Sequence, residues 1–122
     1  MIVAGFGFRA AATAESLADA LERSGGMGKV AVLATARDKA QAGAFCGLAR
    51  SLGLPIRAVD AEIISRQETA TRSSASLAAR GTASMAEAAA LAAAGQGAQL
   101  VAPRVISGDG MATCALAKGK GT

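Results

Sequence analysis

The chain has no histidine, no tryptophan and no tyrosine, and only two cysteines among its 122 residues. Without histidine or any C-x-x-C spacing, zinc sites, Cys-His dyads and Ser-His-Asp triads are excluded within this polypeptide. No metal is expected. Cys46 and Cys114 read as small buried hydrophobes, one in a helix and one in a strand. No run of like charge occurs and no Tyr or Trp can stack on bases, which sets nucleic acid aside as a partner. No apolar run reaches membrane length, and Met1-Ile2-Val3-Ala4 reads as a strand turning at Gly5 rather than as the basic start of a signal peptide. The expectation is a cytoplasmic protein with no membrane partner.

What the chain does have is alanine, 33 residues against three phenylalanines. Each alanine buries little area, so the core must be packed close to the backbone. The length suits one domain with one core. The net charge of +4 and pI near 9.7 come from cations scattered singly along the chain, a balance suited to a small anionic ligand.

Apolar periodicity alternates between strand and helix. Ile2 to Phe6 is a first strand, and Thr13 caps a helix with Ala14, Leu17, Ala18 and Leu21 on its apolar face, ended by Gly25-Gly26. Lys29 to Thr35 is the next apolar run. Asp38 is expected to open a second helix with Ala42, Phe45, Leu48, Ala49 and Leu52 inward, closed by Gly53 and Pro55. Gly43 and Gly47 are expected to let that helix approach a sheet closely. Ile56 to Val59 is a third strand, after which Asp60 is placed to cap a short turn through Ile63 and Ile64. Residues 68 to 76 are a Thr/Ser-rich loop. A helix from Ser84 ends at Gly95-Gln96-Gly97, strand four runs from Gln99 to Val105, and Ser107-Gly108-Asp109-Gly110 turns into a last strand, Met111 to Ala117.

Strands separated by helices imply right-handed crossovers, whereas the last two strands, lacking a helix between them, should be antiparallel. The predicted fold is α/β: a three-layer α/β/α domain over residues 1–117 on a mostly parallel five-stranded sheet with an antiparallel final strand. Residues 118–122 form a polar C-terminal tail.

In such a sheet the ligand crevice lies at the carboxyl ends of the strands. That rule gathers Gly7, Arg9 and Thr13 after strand one, Thr35, Arg37 and Lys39 after strand two, and Gly81, Thr82 and Ser84 where the alanine-rich helix begins. Ser84 and Glu87 have capping-box spacing, and a helix start offers backbone N–H groups to an anion. Thr71, Ser73, Ser74 and Ser76, in the Thr/Ser-rich loop, are either linker filler or further hydroxyl ligands. The expected ligand is a polycarboxylate or phosphate. Gly5-Phe6-Gly7 departs from the dinucleotide fingerprint, with Ala10 in the third glycine position and no acid closing the next strand, so no nicotinamide cofactor is expected.

Several segments also match a known family. Gly5-Phe6-Gly7-Phe8-Arg9 with Thr13-Ala14-Glu15, Ala34-Thr35 with Lys39, Leu52-Gly53-Leu54-Pro55, Ser73, Gly81 to Leu91, and Ala112-Thr113 to Ala117 occur in the order seen in the CobE and CbiG C-terminal domain family of cobalamin biosynthesis. The chain resembles that family over essentially its whole length. The resemblance implies a role in building the corrin ring, on intermediates that carry acetate and propionate arms. It also implies a precorrin- or hydrogenobyrinic-acid-type tetrapyrrole as ligand and other pathway enzymes as partners. The family often has an acid four positions after the matched lysine, where this chain has Gly43, and the lactone opening of the two-domain relative is not transferred to a chain lacking that relative's N-terminal part.

On this reading Arg9, Arg37 and Lys39 pair with carboxylate arms. Thr13, Thr35, Ser73, Thr82 and Ser84 donate hydrogen bonds, and the backbone at Gly7 and Gly81 allows close approach. Without histidine, acid/base work would fall to Glu, Asp, Lys or a hydroxyl, which favours binding and hand-over. The rivals are a hydrolase or isomerase acting on a lactone or acyl substituent, with Lys39 or Asp38 as acid/base, and a docking partner of another pathway enzyme.

Overall fold

Alternation along the first strand divides the core in two. In a computed structural model, which describes residues 1–60, 62–63, 82–95 and 97–119 (backbone only at 82–84), β1 spans Ile2–Phe8. Its Ala4, Phe6 and Phe8 face one cluster, and Val3 faces the other. The first cluster takes Leu17, Ala20 and Leu21 of helix α1 (Ala14–Ser24) and Phe45, Leu48 and Ala49 of helix α2 (Gly43–Leu52). The second takes Ala89, Ala90, Leu91, Ala93 and Ala94 of helix α3 (Thr82–Ala94). Helices thus cover both faces of the sheet, the expected three layers.

The sheet has five strands in the order β3-β2-β1-β5-β4, with β2 at Val32–Ala36, β3 at Ile56–Val59, β4 at Gln99–Ile106 and β5 at Ala112–Lys118. The β1–β2 and β2–β3 pairings are parallel, and β5 is antiparallel to both β1 and β4. By direction, only β5 opposes the rest, as the sequence suggests. By pairing the sheet is mixed, because β5 is inserted between β1 and β4 instead of lying at an edge.

Thr13 is the α1 cap: its hydroxyl accepts from the Ser16 N–H, and the Ser16 hydroxyl accepts from the Thr13 N–H. Gly25 and Gly53 close α1 and α2 in the left-handed region, at φ 83° and 69°. Three expectations need correction. Asp38 does not open α2, because Arg37–Lys39 form a separate 3-10 turn and α2 starts at Gly43, capped by no side chain. Ser84 does not start α3, whose first residue is Thr82; Glu87 is fully buried and accepts the Arg104 N–H of β4 at 2.9 Å. The close approach to the sheet is not made at Gly43 or Gly47: a Cβ at Gly43 would meet nothing within 4 Å, and one at Gly47 only Ala14 at 3.9 Å. It is made at Gly5, where a Cβ would stand 2.0 Å from the Ala86 carbonyl oxygen. Glu62 and Ile63 are helical after Asp60, whereas Ile64 and the loop at 68–76 lie outside the described residues.

Candidate functional site

Ala86 and Ala90 lie against Gly5, and Ala94 lies against Gly119 beside the start of β1. Helix α3 therefore runs from the carboxyl end of β1 toward its amino end, and its N-terminus sits at the rim where β1, β2 and β3 also finish. Of the sequence-predicted residues there, Ser73 and Gly81 lie outside the described residues, as do the side chains of Thr82 and Ser84.

The other predicted residues have separate settings. Thr35 is fully buried and its hydroxyl donates to the Phe6 carbonyl at 2.8 Å, stitching β2 to β1. Thr13 is exposed, with its hydroxyl in the α1 cap. Arg37 follows β2 and its Nε donates to the Asp60 carboxylate after β3, at 2.5 Å. Lys39 is half-buried; its ammonium donates to the Phe8 carbonyl at 2.5 Å and stands 5.1 Å from the centre of the Phe8 ring. That ring stacks on Phe45 at 5.8 Å, so the Lys39 charge is held at the rim by the core beneath it.

Gly7 and Arg9 come together in a cleft of about 180 Å³ across the ends of β1, β5 and β4. Arg104, Ile106, Met111 and Thr113 complete the part that matters chemically. The Thr113 hydroxyl donates to the Gly7 carbonyl at 3.2 Å, and the Arg9 N–H continues the strand pairing to the Met111 carbonyl at 2.9 Å. The wall therefore combines two guanidinium groups with apolar side chains. Among the described residues neither Arg9 nor Arg104 has an ion-pair partner, in contrast to Arg37.

Arg104 is the residue that sequence reasoning missed. It follows Pro103 in β4, where Ala102 pairs with Leu116 and Val105 with Cys114, so that Pro103 and Arg104 together oppose the single Ala115. This is a β-bulge, a device that re-aims a side chain and ends regular alternation. A proline inside a strand run is the one sequence signal that points to it.

The turn from β4 to β5 is braced from below. Asp109 accepts hydrogen bonds from the Ser107 and Ser16 hydroxyls, each at 2.5 Å, and from the Met111 N–H at 3.0 Å. These donors lower its pKa to about 2. Asp19 in α1 accepts from the Gly108 N–H at 2.6 Å and from Arg23 at 2.8 Å, and both bonds lower its pKa. The cleft wall at Met111 is thus tied to the first turns of α1. Burial pushes the Cys114 thiol up to about 12, which removes it as a nucleophile. Cys46 is half-buried, so the expectation of two buried cysteines holds for Cys114 alone.

No curated protein matches the chain. Among solved structures, CobE, a protein from the cobalamin (vitamin B12) biosynthetic pathway, is similar at 31% identity and TM-score 0.75 over 96% of this chain and 89% of that one. The cobalamin biosynthesis protein chiG from Agrobacterium tumefaciens str. C58 is 34% identical, with TM-score 0.71 over 98% of both chains. A cobalamin biosynthesis protein G homolog from Sulfolobus solfataricus shares the fold at TM-score 0.71 and 20% identity, over 95% of this chain and 36% of that one. The family model described as "Cobalamin synthesis G C-terminus" matches residues 2–117. With that match spanning nearly the whole chain, and with relatives above 30% identity covering it end to end, the protein belongs to the CbiG C-terminal family of cobalamin biosynthesis.

Proposed function

We propose that this protein binds a precorrin- or hydrogenobyrinic-acid-type tetrapyrrole at the carboxyl-end rim of its sheet and assists the conversion of that intermediate or its transfer to another pathway enzyme. The observation that carries the reading is the pair Arg9 and Arg104, two guanidinium groups without an acidic partner among the described residues, lining one cleft beside Ile106 and Met111. Acetate and propionate arms around an apolar macrocycle match that mixture of charge and apolar surface. At about 180 Å³ the cleft takes an arm and an edge of the ring, with the rest of the macrocycle lying along the rim toward Lys39 and Arg37. Arg37 would engage an arm only by sharing or releasing Asp60, so Arg9, Arg104 and Lys39 carry more of the interaction.

The described cleft wall contains no carboxylate and no thiol, so it offers positive charge and backbone groups rather than an acid/base pair. Binding and hand-over are its natural chemistry. An absorbance titration with hydrogenobyrinic acid and its precursors tests the reading. Saturable binding should weaken as ionic strength rises from about 0.1 M to about 1 M, where the screening length falls from about 10 Å to about 3 Å. Arg9→Gln should weaken it further. Binding that ignores both salt and Arg9 would refute a cleft-anchored polycarboxylate. Turnover of an intermediate by the isolated protein would establish the hydrolase or isomerase reading, and affinity for a pathway enzyme without affinity for free tetrapyrrole the docking one.

A further inference from the structure

The regular alternation of β4 does not explain where Arg104 lies. Ala102 and Val105 both pack against the α1 and α2 side of the sheet, three residues apart, which a straight strand forbids. The bulge at Pro103-Arg104 absorbs the extra residue and leaves Arg104 in the cleft with Gly7 and Thr113. Its backbone is then fixed from the opposite side of the chain, because the fully buried Glu87 carboxylate of α3 accepts the Arg104 N–H at 2.9 Å. A strand irregularity, a proline and a buried acid thus hold one arginine in one place.

The guanidinium placed there is incompletely satisfied. Its Nε is buried and has no hydrogen-bond partner. Buried donors are almost always paired, so one that is not calls for an explanation, and in the wall of an open cleft a ligand acceptor supplies one. We propose that Arg104 anchors a carboxylate arm of the ligand and makes the cleft select the free acid over the corresponding amide. A carboxylate presents two acceptor oxygens to the planar fork and neutralises its charge. A primary amide presents one neutral oxygen, and its NH2 group brings donors against a side chain that has only donors. The inference rests on the tetrapyrrole reading above and deepens it.

Absorbance titrations of the full chain with hydrogenobyrinic acid, and with the same macrocycle carrying primary amides in place of its acid arms, test this on wild type, Arg104→Gln and Arg104→Lys. The wild type should prefer the acid by at least about tenfold, since one charge-assisted hydrogen-bonded contact is worth about tenfold to a hundredfold. Arg104→Gln should cut that preference by about tenfold or more, leaving only the part that Arg9 and Lys39 supply, and Arg104→Lys, a point charge without the fork, should fall between. The thermal midpoint of ligand-free Arg104→Gln should not drop, since the Nε makes no bond to lose. An acid preference as large in Arg104→Gln as in the wild type would overturn the inference, and so would equal wild-type affinity for acid and amide. If Arg104→Gln fails to fold, a full acid preference in Arg104→Lys would overturn it equally. A wild type that binds neither macrocycle refutes the tetrapyrrole reading itself and the inference with it, which separates the two failures.

Discussion

Replacing Gly5 with alanine should be among the most damaging single-methyl changes available to this protein. The added Cβ would stand 2.0 Å from the Ala86 carbonyl oxygen, 2.5 Å from the Ala90 nitrogen and 2.8 Å from the Ala90 Cβ. Two of these atoms are helix backbone, so no side-chain rotation relieves the contact; α3 must retreat from the sheet by more than about 1 Å to restore ordinary spacing. A radial gap of that size forfeits a quarter to a half of each dispersion contact. The contacts at stake are those of Ala89, Ala90, Ala93 and Ala94 with Val3, Val32, Ala34 and Ala117. Overpacking of this kind costs about 1–3 kcal/mol and sometimes more, against which the reduced freedom of the unfolded chain returns only about 0.4–1 kcal/mol. Because helix backbone carries the clash, the cost lies at the upper end of that range, and the resulting net loss of about 2–2.6 kcal/mol is a large share of the roughly 5–15 kcal/mol that stabilises a domain. Urea unfolding followed by far-UV circular dichroism suits a chain without Trp or Tyr, and the midpoint of Gly5→Ala should fall by about 1 M or more. Gly47→Ala is the control: its Cβ meets only Ala14 at 3.9 Å, inside α2, so it should gain up to about 1 kcal/mol of helix propensity. A Gly5→Ala protein as stable as wild type would refute the account of how α3 rests on β1.

Acid stability should depend on the turn after β4. Because the folded pKa of Asp109, about 2, lies below the roughly 3.9 of an unfolded aspartate, its contribution is complete above about pH 4 and is lost as pH falls toward 2, with Asp19 acting in the same direction. Asp109→Asn should flatten the acid limb of a stability-against-pH curve, and a curve parallel to wild type would contradict the hydrogen-bonded carboxylate. Glu87→Ala removes the acceptor of the Arg104 N–H and should lower stability by about 1–3 kcal/mol in urea unfolding, with Glu87→Gln recovering most of it; an unchanged midpoint in the alanine variant would show that the β4 bulge does not depend on this bond. In the native chain at pH 8, a thiol reagent should titrate at most one cysteine, with Cys114 reacting only after denaturation, and two fast equivalents would disprove its burial.

Features set by a few neighbouring residues were legible in the sequence. The Thr13 cap and the glycine stops at Gly25 and Gly53 follow from local backbone preferences, and the helix-free turn at Ser107 to Gly110 makes β5 antiparallel to β4. That Gly7 and Arg9 line a cleft was also readable, since the end of a parallel strand faces the crevice whatever the rest of the sheet does. Asp38 misled because a cap residue is a local signal that a 3-10 turn can also absorb, and Arg37-Asp38-Lys39 form that turn. From sequence, Arg37 is assigned to a carboxylate arm because its partner, Asp60, follows the next strand, out of reach of any local pattern.

Composition and periodicity by themselves determined the class of the fold, its alanine-lined interior and the exclusion of histidine chemistry, because these depend on which residues are present and how they alternate. Tertiary structure alone decided that β5 enters between β1 and β4, that Gly5 and not Gly47 bears the close helix contact, and that Arg104 joins Arg9 in one cleft. Each is a relation between segments far apart in the chain: α3 is some eighty residues from Gly5, and Arg104 meets Arg9 across the sheet only because β5 lies between β1 and β4. No local propensity encodes such a pairing, since it is chosen by the packing of the whole sheet against its two helical layers.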